Sequence, residues 1–179
     1  ALQELCKRID KKQNLTDTPS FIFKVKDDTG KTSFKVNPTF ELKHIDDLED
    51  PDYTIFDYKR IVEDSGNVFP MMLGRGCPYK CTFCCVPMQQ HQHRTARSLF
   101  AEHSGTNQSS DTYHREKPIE KFIDEVKYAI KEYKIDFIYF TDESFLSMRP
   151  ERFFNFIEAY KKIKLPFFIE TRVETVKPG

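Results

Sequence analysis

The sequence predicts an α/β fold with a parallel sheet covered by helices, and three observations predict it. Strongly apolar, strand-like runs lie near 67–74, 137–141 and 167–171. Amphipathic helical stretches, near 118–134 and from Pro150 onward, separate them. The runs are apolar almost throughout rather than alternating, which is the pattern of strands with buried faces joined by helical crossovers.

The chain opens inside a helix: Leu2, Leu5, Cys6 and Ile9 follow the i, i+3, i+4, i+7 rule, and Lys7, Arg8, Lys11 and Lys12 suit a helix C-terminus. The stripe places Cys6 in a core. Two alternating runs follow, Phe21/Phe23/Val25 and Thr32/Phe34/Val36, joined by Asp27-Asp28-Thr29-Gly30. That is a hairpin signature with Gly30 suited to positive φ. Residues 37–66 are acidic and irregular and read as a linker. Strand 67–74 comes next, then a helix with Pro118 in its first turn and a stripe of Ile119, Phe122, Ile123, Val126, Ile130 and Tyr133. After strand 137–141 a second helix turns Phe153, Phe156, Ile157 and Tyr160 inward. Three strands neither close a barrel nor complete an open sheet, so the sequence reads as a fragment. Residues 86–116 break the rhythm: they are polar and without period, and predict a mobile loop over the sheet's C-terminal edge.

Composition narrows the function classes. Lys plus Arg and Asp plus Glu are 28 each, so no net field calls for nucleic acid or an anionic membrane. Apolar stretches fall far short of the roughly 20 residues of a membrane span, and Ala1-Leu2-Gln3-Glu4-Leu5 is no signal peptide. The 17 Phe and 8 Tyr supply bulk for a packed core. Three of the five cysteines are tightly clustered, which favours a metal or redox site in a reducing compartment over a disulfide framework. The expectation is a soluble cytoplasmic protein.

Chemistry concentrates at Cys77-Pro78-Tyr79-Lys80-Cys81-Thr82-Phe83-Cys84. Three thiolates in a C-x-x-x-C-x-x-C array can bind a soft metal centre, and three rather than four leave one coordination position for a group that is not protein. The array follows a strand at the edge where parallel α/β folds place chemistry. The bland alternative is a non-catalytic, zinc-stabilised binding module completed by Cys85, His91 or His93. A ferredoxin-like electron carrier would need a fourth ligand. Cys85, adjoining a ligand, reads as a packed thiol.

CPYKCTFC, with an aromatic before the third cysteine, resembles the cluster-binding loop of the radical S-adenosylmethionine (SAM) superfamily. The resemblance implies a partial (β/α) barrel of the radical SAM type, represented by its first three strands. It implies a 4Fe-4S cluster on Cys77, Cys81 and Cys84, and SAM on the open iron. It further implies reductive cleavage of SAM to a 5′-deoxyadenosyl radical, with electrons from a donor such as flavodoxin or ferredoxin. Phe83, chiefly through its backbone, would lie near the adenine. Thr141-Asp142-Glu143 stands where the family often has Gly-Gly-Glu, so Asp142 or Glu143 would receive the SAM ammonium. Arg172 would meet the SAM carboxylate or a substrate, with a surface ion pair as its alternative.

The acidic run Asp47–Tyr53, Gly74-Arg75-Gly76 and Arg115-Glu116-Lys117-Pro118 resemble the subgroup that carries an N-terminal cobalamin-binding domain. On that resemblance residues 1–18 are the tail of such a domain, 19–66 a hairpin and linker, and 67–179 the N-terminal part of a radical SAM domain. Cobalamin would be bound outside these residues, since Asp-x-His-x-x-Gly does not occur in them. The reaction would be methyl transfer, ring formation or a redox rearrangement on a small molecule or peptide.

Overall fold

In the computed structural model, residues 1–38, 44–104 and 113–176 are described, without the side chains of 96–104. The chain forms two compact units, Ala1–Leu42 with Cys81–Ser110, and Lys43–Lys80 with Asp111–Gly179.

The second unit is built on three parallel strands, β3 (Val68–Met71), β6 (Phe137–Phe140) and β7 (Phe167–Phe168), in the order β3-β6-β7. Phe69 lies opposite Ile138, and Met71 opposite Phe140. Burial alternates along β3 and β6, so Phe69, Met71, Ile138 and Phe140 face the helices. Helix α4 (Ile119–Tyr133) brings Phe122, Ile123, Val126 and Ala129 onto them, and α5 (Pro150–Tyr160) brings Phe156 and Tyr160. Phe140 is the hub: its ring lies 4.6 Å from Phe145, 5.4 Å from Phe122 and 5.9 Å from Phe156, in edge-on and stacked pairs. Truncating any of these buried Phe side chains costs about 3–5 kcal/mol. Helix α4 ends where Lys134 takes the left-handed conformation, and α5 starts on Pro150, whose missing N–H is no loss at a first turn.

This is a mixed α/β architecture with a three-stranded parallel sheet, compatible with part of a radical SAM-type β/α fold; the described strands do not form a closed barrel. The third strand is shorter than the run 167–171, because after Phe168 the chain turns so that Glu170 can accept from the Phe145 N–H. The stretch read as irregular linker holds a short helix, α2 (Tyr58–Asp64), capped by the Asp57 carboxylate on the Arg60 N–H. It is anchored by Tyr53, whose hydroxyl donates to Glu125 at 2.5 Å while Lys117 pairs with the same carboxylate. Burial raises the Tyr53 pKa strongly, and the Glu125 acceptor adds to it.

The sequence also missed a two-residue antiparallel pair, β4 (Gly74–Arg75) with β5 (Arg115–Glu116), which splits the expected strand 67–74 in two. Strands this short carry no legible period.

In the first unit, α1 (Leu2–Asp10) precedes a hairpin of β1 (Ile22–Lys26) and β2 (Thr32–Val36). The turn is as expected: Gly30 has φ +81°, and the Asp27 carboxylate accepts from the N–H groups of Thr29 and Lys31. The apolar stripe of α1 is not buried: Cys6 is exposed, and so are Leu2 and Ile9, which corrects the assignment of Cys6 to a core.

The second correction concerns 86–116. Residues Val86–Ser104 form a helix, α3, instead of a mobile loop. Its Met, Gln, Arg, Ala, Leu and Glu residues are good helix formers, Pro87 sits in the first turn, and no glycine intervenes before Gly105. Amphipathicity is weak, which hid it from a periodicity search. Residues 105–112 lie outside the described residues.

Candidate functional site

The C-terminal edge of the sheet carries the site because β3 delivers its chain there. Beyond Met71 the backbone runs through Leu73, Gly74, Arg75 and Gly76 to Cys77. Three neighbours define that path. On one side β5 borders it, and the Lys117 N–H donates to the Leu73 carbonyl at 2.8 Å. On the other side lies the end of β6. The Asp142 carboxylate accepts from Leu73 N at 3.0 Å and from Gly74 N at 2.6 Å. Glu143 follows, and its Oε2 accepts from Gly76 N at 3.1 Å. The third neighbour is Tyr113: a Cβ on Gly76 would stand 2.5 Å from its carbonyl oxygen, and Gly76 has φ +83°. Only glycine meets both conditions.

Asp142 is 6% exposed, and burial raises its pKa to about 6 against the lowering effect of its two N–H donors; neighbouring Glu143 raises it further. Glu143 is exposed. Burial lowers the pKa of half-buried His114, whose nearby charges include Glu116, Glu143 and Arg152. Ser144 is buried, with no hydrogen-bond partner for its hydroxyl among the described residues.

Arg172 stands past β7 with its guanidinium 4.4 Å above the centre of the Tyr79 ring. It also pairs with Glu174 at 2.6 Å, which holds that carboxyl down at about 2. The surface ion pair weighed for Arg172 therefore exists, together with a stack on the cysteine loop that the sequence did not disclose.

None of the five cysteines is in a disulfide. Cys77 and Cys81 are partly exposed, and Cys84 and Cys85 are exposed, so Cys85 is not the packed thiol expected of it. Cys81 to Cys84 form a turn closed by Cys84 N to the Cys81 carbonyl at 3.1 Å. The Val86 N–H at the start of α3 donates to Cys84 Sγ at 3.5 Å. Phe83 is 92% exposed. His91 and His93 lie on α3. Among the described residues no three His, Cys, Asp or Glu side chains are gathered closely enough to hold a metal ion.

The donor set nonetheless suits an iron–sulfur cluster. Three thiols outside any disulfide, each at least partly exposed, lie within eight residues, and the third receives the Val86 N–H at a helix start.

The sequence singled out Cys77, Cys81, Cys84, Phe83, Asp142, Glu143 and Arg172. The structure brings Asp142, Glu143 and the approach to Cys77 together, and Arg172 onto Tyr79. It adds Gly74, His114 and Tyr79. Of these Gly74, in Gly74-Arg75-Gly76 directly before the first cysteine, and Tyr79, inside the cysteine motif, stood in quoted motifs, whereas His114 carried no signal.

The model of one protein family, described as the radical SAM superfamily, matches residues 71–178, more than half of the chain. Neither the curated proteins nor the solved structures gave a match.

Proposed function

The chain belongs to the radical SAM superfamily, and from that premise we propose that Cys77, Cys81 and Cys84 are the protein ligands of a 4Fe-4S cluster whose open iron seats SAM. The observation that carries this is the position of Cys77, reached by a fixed backbone path from the end of a parallel strand and opening a run of three cysteines outside any disulfide. Together the cluster and SAM supply one-electron reductive cleavage and abstraction of a substrate hydrogen atom.

The chain's own residues have distinct tasks in this reading. The thiols hold iron, and there are three of them, which leaves the fourth position to SAM. Glu143, exposed at the sheet edge with its Oε2 on Gly76 N, would accept from the SAM ammonium. Phe83 would lie near the adenine through its backbone. Arg172, already paired with Glu174, would meet a carboxylate alongside that pair or in place of it.

The finer reading is a cobalamin-assisted methyl transfer or redox rearrangement with flavodoxin or ferredoxin as electron donor. Its support is the resemblance of the helix, hairpin and acidic linker to the cobalamin subgroup. No helix among the described residues is long and apolar enough to cross a membrane.

Anaerobic reconstitution with iron and sulfide tests the proposal. It should give broad absorbance near about 400 nm and close to four irons per chain, as three-thiolate clusters do. Cys77→Ala, Cys81→Ala or Cys84→Ala should abolish both. SAM should change the EPR signal of the reduced protein. Stoichiometric zinc with no iron uptake would instead establish the zinc-stabilised module.

A further inference from the structure

The approach to Cys77 is enclosed to the width of a single backbone. A Cβ on Gly74 would stand 3.3 Å from both the Arg115 carbonyl oxygen and Asp142 Oδ1. Beneath it, Asp142 uses one oxygen for Leu73 N and the other for Gly74 N. A 6%-exposed carboxylate with each oxygen on a backbone donor offers little surface to the ammonium of a ligand. It does what a capping carboxylate does at a helix start: it fixes two consecutive N–H groups, and with them the direction of the chain.

We propose that Asp142 is a positioning residue for the cysteine loop. It acts through Leu73 and Gly74 to set where Cys77 leaves the sheet edge, and it makes no contact with SAM. The two acidic residues at the end of β6 thereby divide their work. Asp142 holds the protein, and Glu143, tethered by one oxygen to Gly76 N, faces the ligand. The geometric part stands on the hydrogen bonds alone, while the consequence for iron and SAM rests on the radical SAM reading.

The test compares wild-type protein with Asp142→Asn, which keeps the volume but replaces one acceptor by a donor facing an N–H group. The first readout is amide hydrogen exchange in the cluster-free protein. Leu73 and Gly74 should exchange at least about tenfold faster in the variant, as loss of a charge-assisted hydrogen bond implies, with Phe140 in the core unchanged. A residue with only a general structural role would speed all of them together. The second readout is iron: the variant should retain less than about half the wild-type iron per chain after reconstitution and a desalting wash. Its loaded fraction should bind SAM within about twofold of wild type.

Unchanged exchange at Leu73 and Gly74 would overturn the proposal, and so would full iron loading with SAM affinity lost, which would make Asp142 a ligand contact. Should Asp142→Asn not fold, Gly74→Ala loosens the same contact from the other side with Asp142 intact. It must show the same local rise in exchange, and protection like that of wild type would refute the clamp. Should wild-type protein take up no iron, the cluster reading fails, and the exchange measurement still decides whether Asp142 holds the loop.

Discussion

The two halves of the cysteine loop are built in opposite ways. The first, from Leu73 to Tyr79, is tied down at nearly every step: Leu73 and Gly74 to Asp142, Gly76 to Glu143 and against Tyr113, and Tyr79 beneath Arg172. In the second, from Cys81 to Cys84, the chain makes a local turn, the Val86 N–H meets Cys84 Sγ, and Phe83 is almost fully exposed. A metal centre needs one fixed ligand to place it relative to the sheet. The remaining ligands can be drawn in by the metal itself, since ligand ordering is part of the free energy of metal binding. The contrast therefore suits a site whose location is set by the fold and whose closure is completed by its cofactor.

The sharpest way to break this contrast is to alter one residue in each half and measure the stability of the cluster-free protein. Gly76→Ala puts an L-residue at φ +83° and a methyl group 2.5 Å from the backbone oxygen of Tyr113. The expected loss is about 3–4 kcal/mol in urea unfolding, from left-handed strain plus overpacking against an atom that cannot rotate away. Cys84→Ala, at an exposed thiol, should cost less than about 0.5 kcal/mol while abolishing iron uptake. Equal losses from the two substitutions would mean that the halves are equally built into the fold.

Asp142 gives the next largest effect, and its sign is informative. Its folded pKa is about 6 against an ordinary 3.8. A carboxyl raised on folding contributes stability that is complete below its unfolded value and lost as pH rises through the folded one. Between about pH 4 and pH 6.5, wild-type protein should therefore lose of order 2–3 kcal/mol relative to Asp142→Asn. The nearby charges, Glu143 above all, change little under this substitution. Urea midpoints of both proteins at pH 4 and pH 7 measure the difference, and parallel pH profiles would show that the carboxylate is not buried as described. At neutral pH the ionised group then grips the loop at a net expense to global stability, which is the pattern expected of a residue kept for geometry.

The Arg172–Tyr79 stack is the weakest tie of the first half. Arg172→Lys keeps the charge but loses the planar face, and Tyr79→Ala removes the ring. Each should cost about 0.5–1 kcal/mol, with the double variant costing less than the sum of the two because both substitutions remove the same stack. Strict additivity in a double-mutant cycle would remove the stack from the set of ties.

Much of this architecture was legible because apolar periodicity is a direct record of burial. Phe122, Val126 and Phe156 fall on stripes, and Phe69, Ile138 and Phe140 fall in runs, so the sheet and its two covering helices follow from their spacing. The cysteine spacing was legible for a related reason: thiols at such intervals have few other uses. What stayed hidden has no local pattern. Helix α3 is only weakly amphipathic, and β4 and β5 are two residues each. Asp142 is held by N–H groups 68 and 69 positions away, which no side-chain identity encodes. The stripe of α1 shows the converse failure. Its pattern calls for a partner, yet none of its residues is buried, so amphipathicity reported a face without reporting what covers it.

The smallest expected effect on stability belongs to Phe83, and it separates backbone from side chain in the open half. With 92% of the residue exposed, Phe83→Ala should shift unfolding by less than about 0.5 kcal/mol. If the adenine of SAM meets the backbone here, the same substitution leaves SAM affinity within about twofold, because no ring contact is removed. Phe83→Pro deletes the N–H and pushes Thr82 toward extended geometry, so it should weaken SAM binding at least about tenfold in iron-loaded protein. Isothermal titration with SAM under anaerobic conditions distinguishes the two. A large loss in Phe83→Ala with little in Phe83→Pro would place the aromatic ring, rather than the chain that carries it, against the nucleoside.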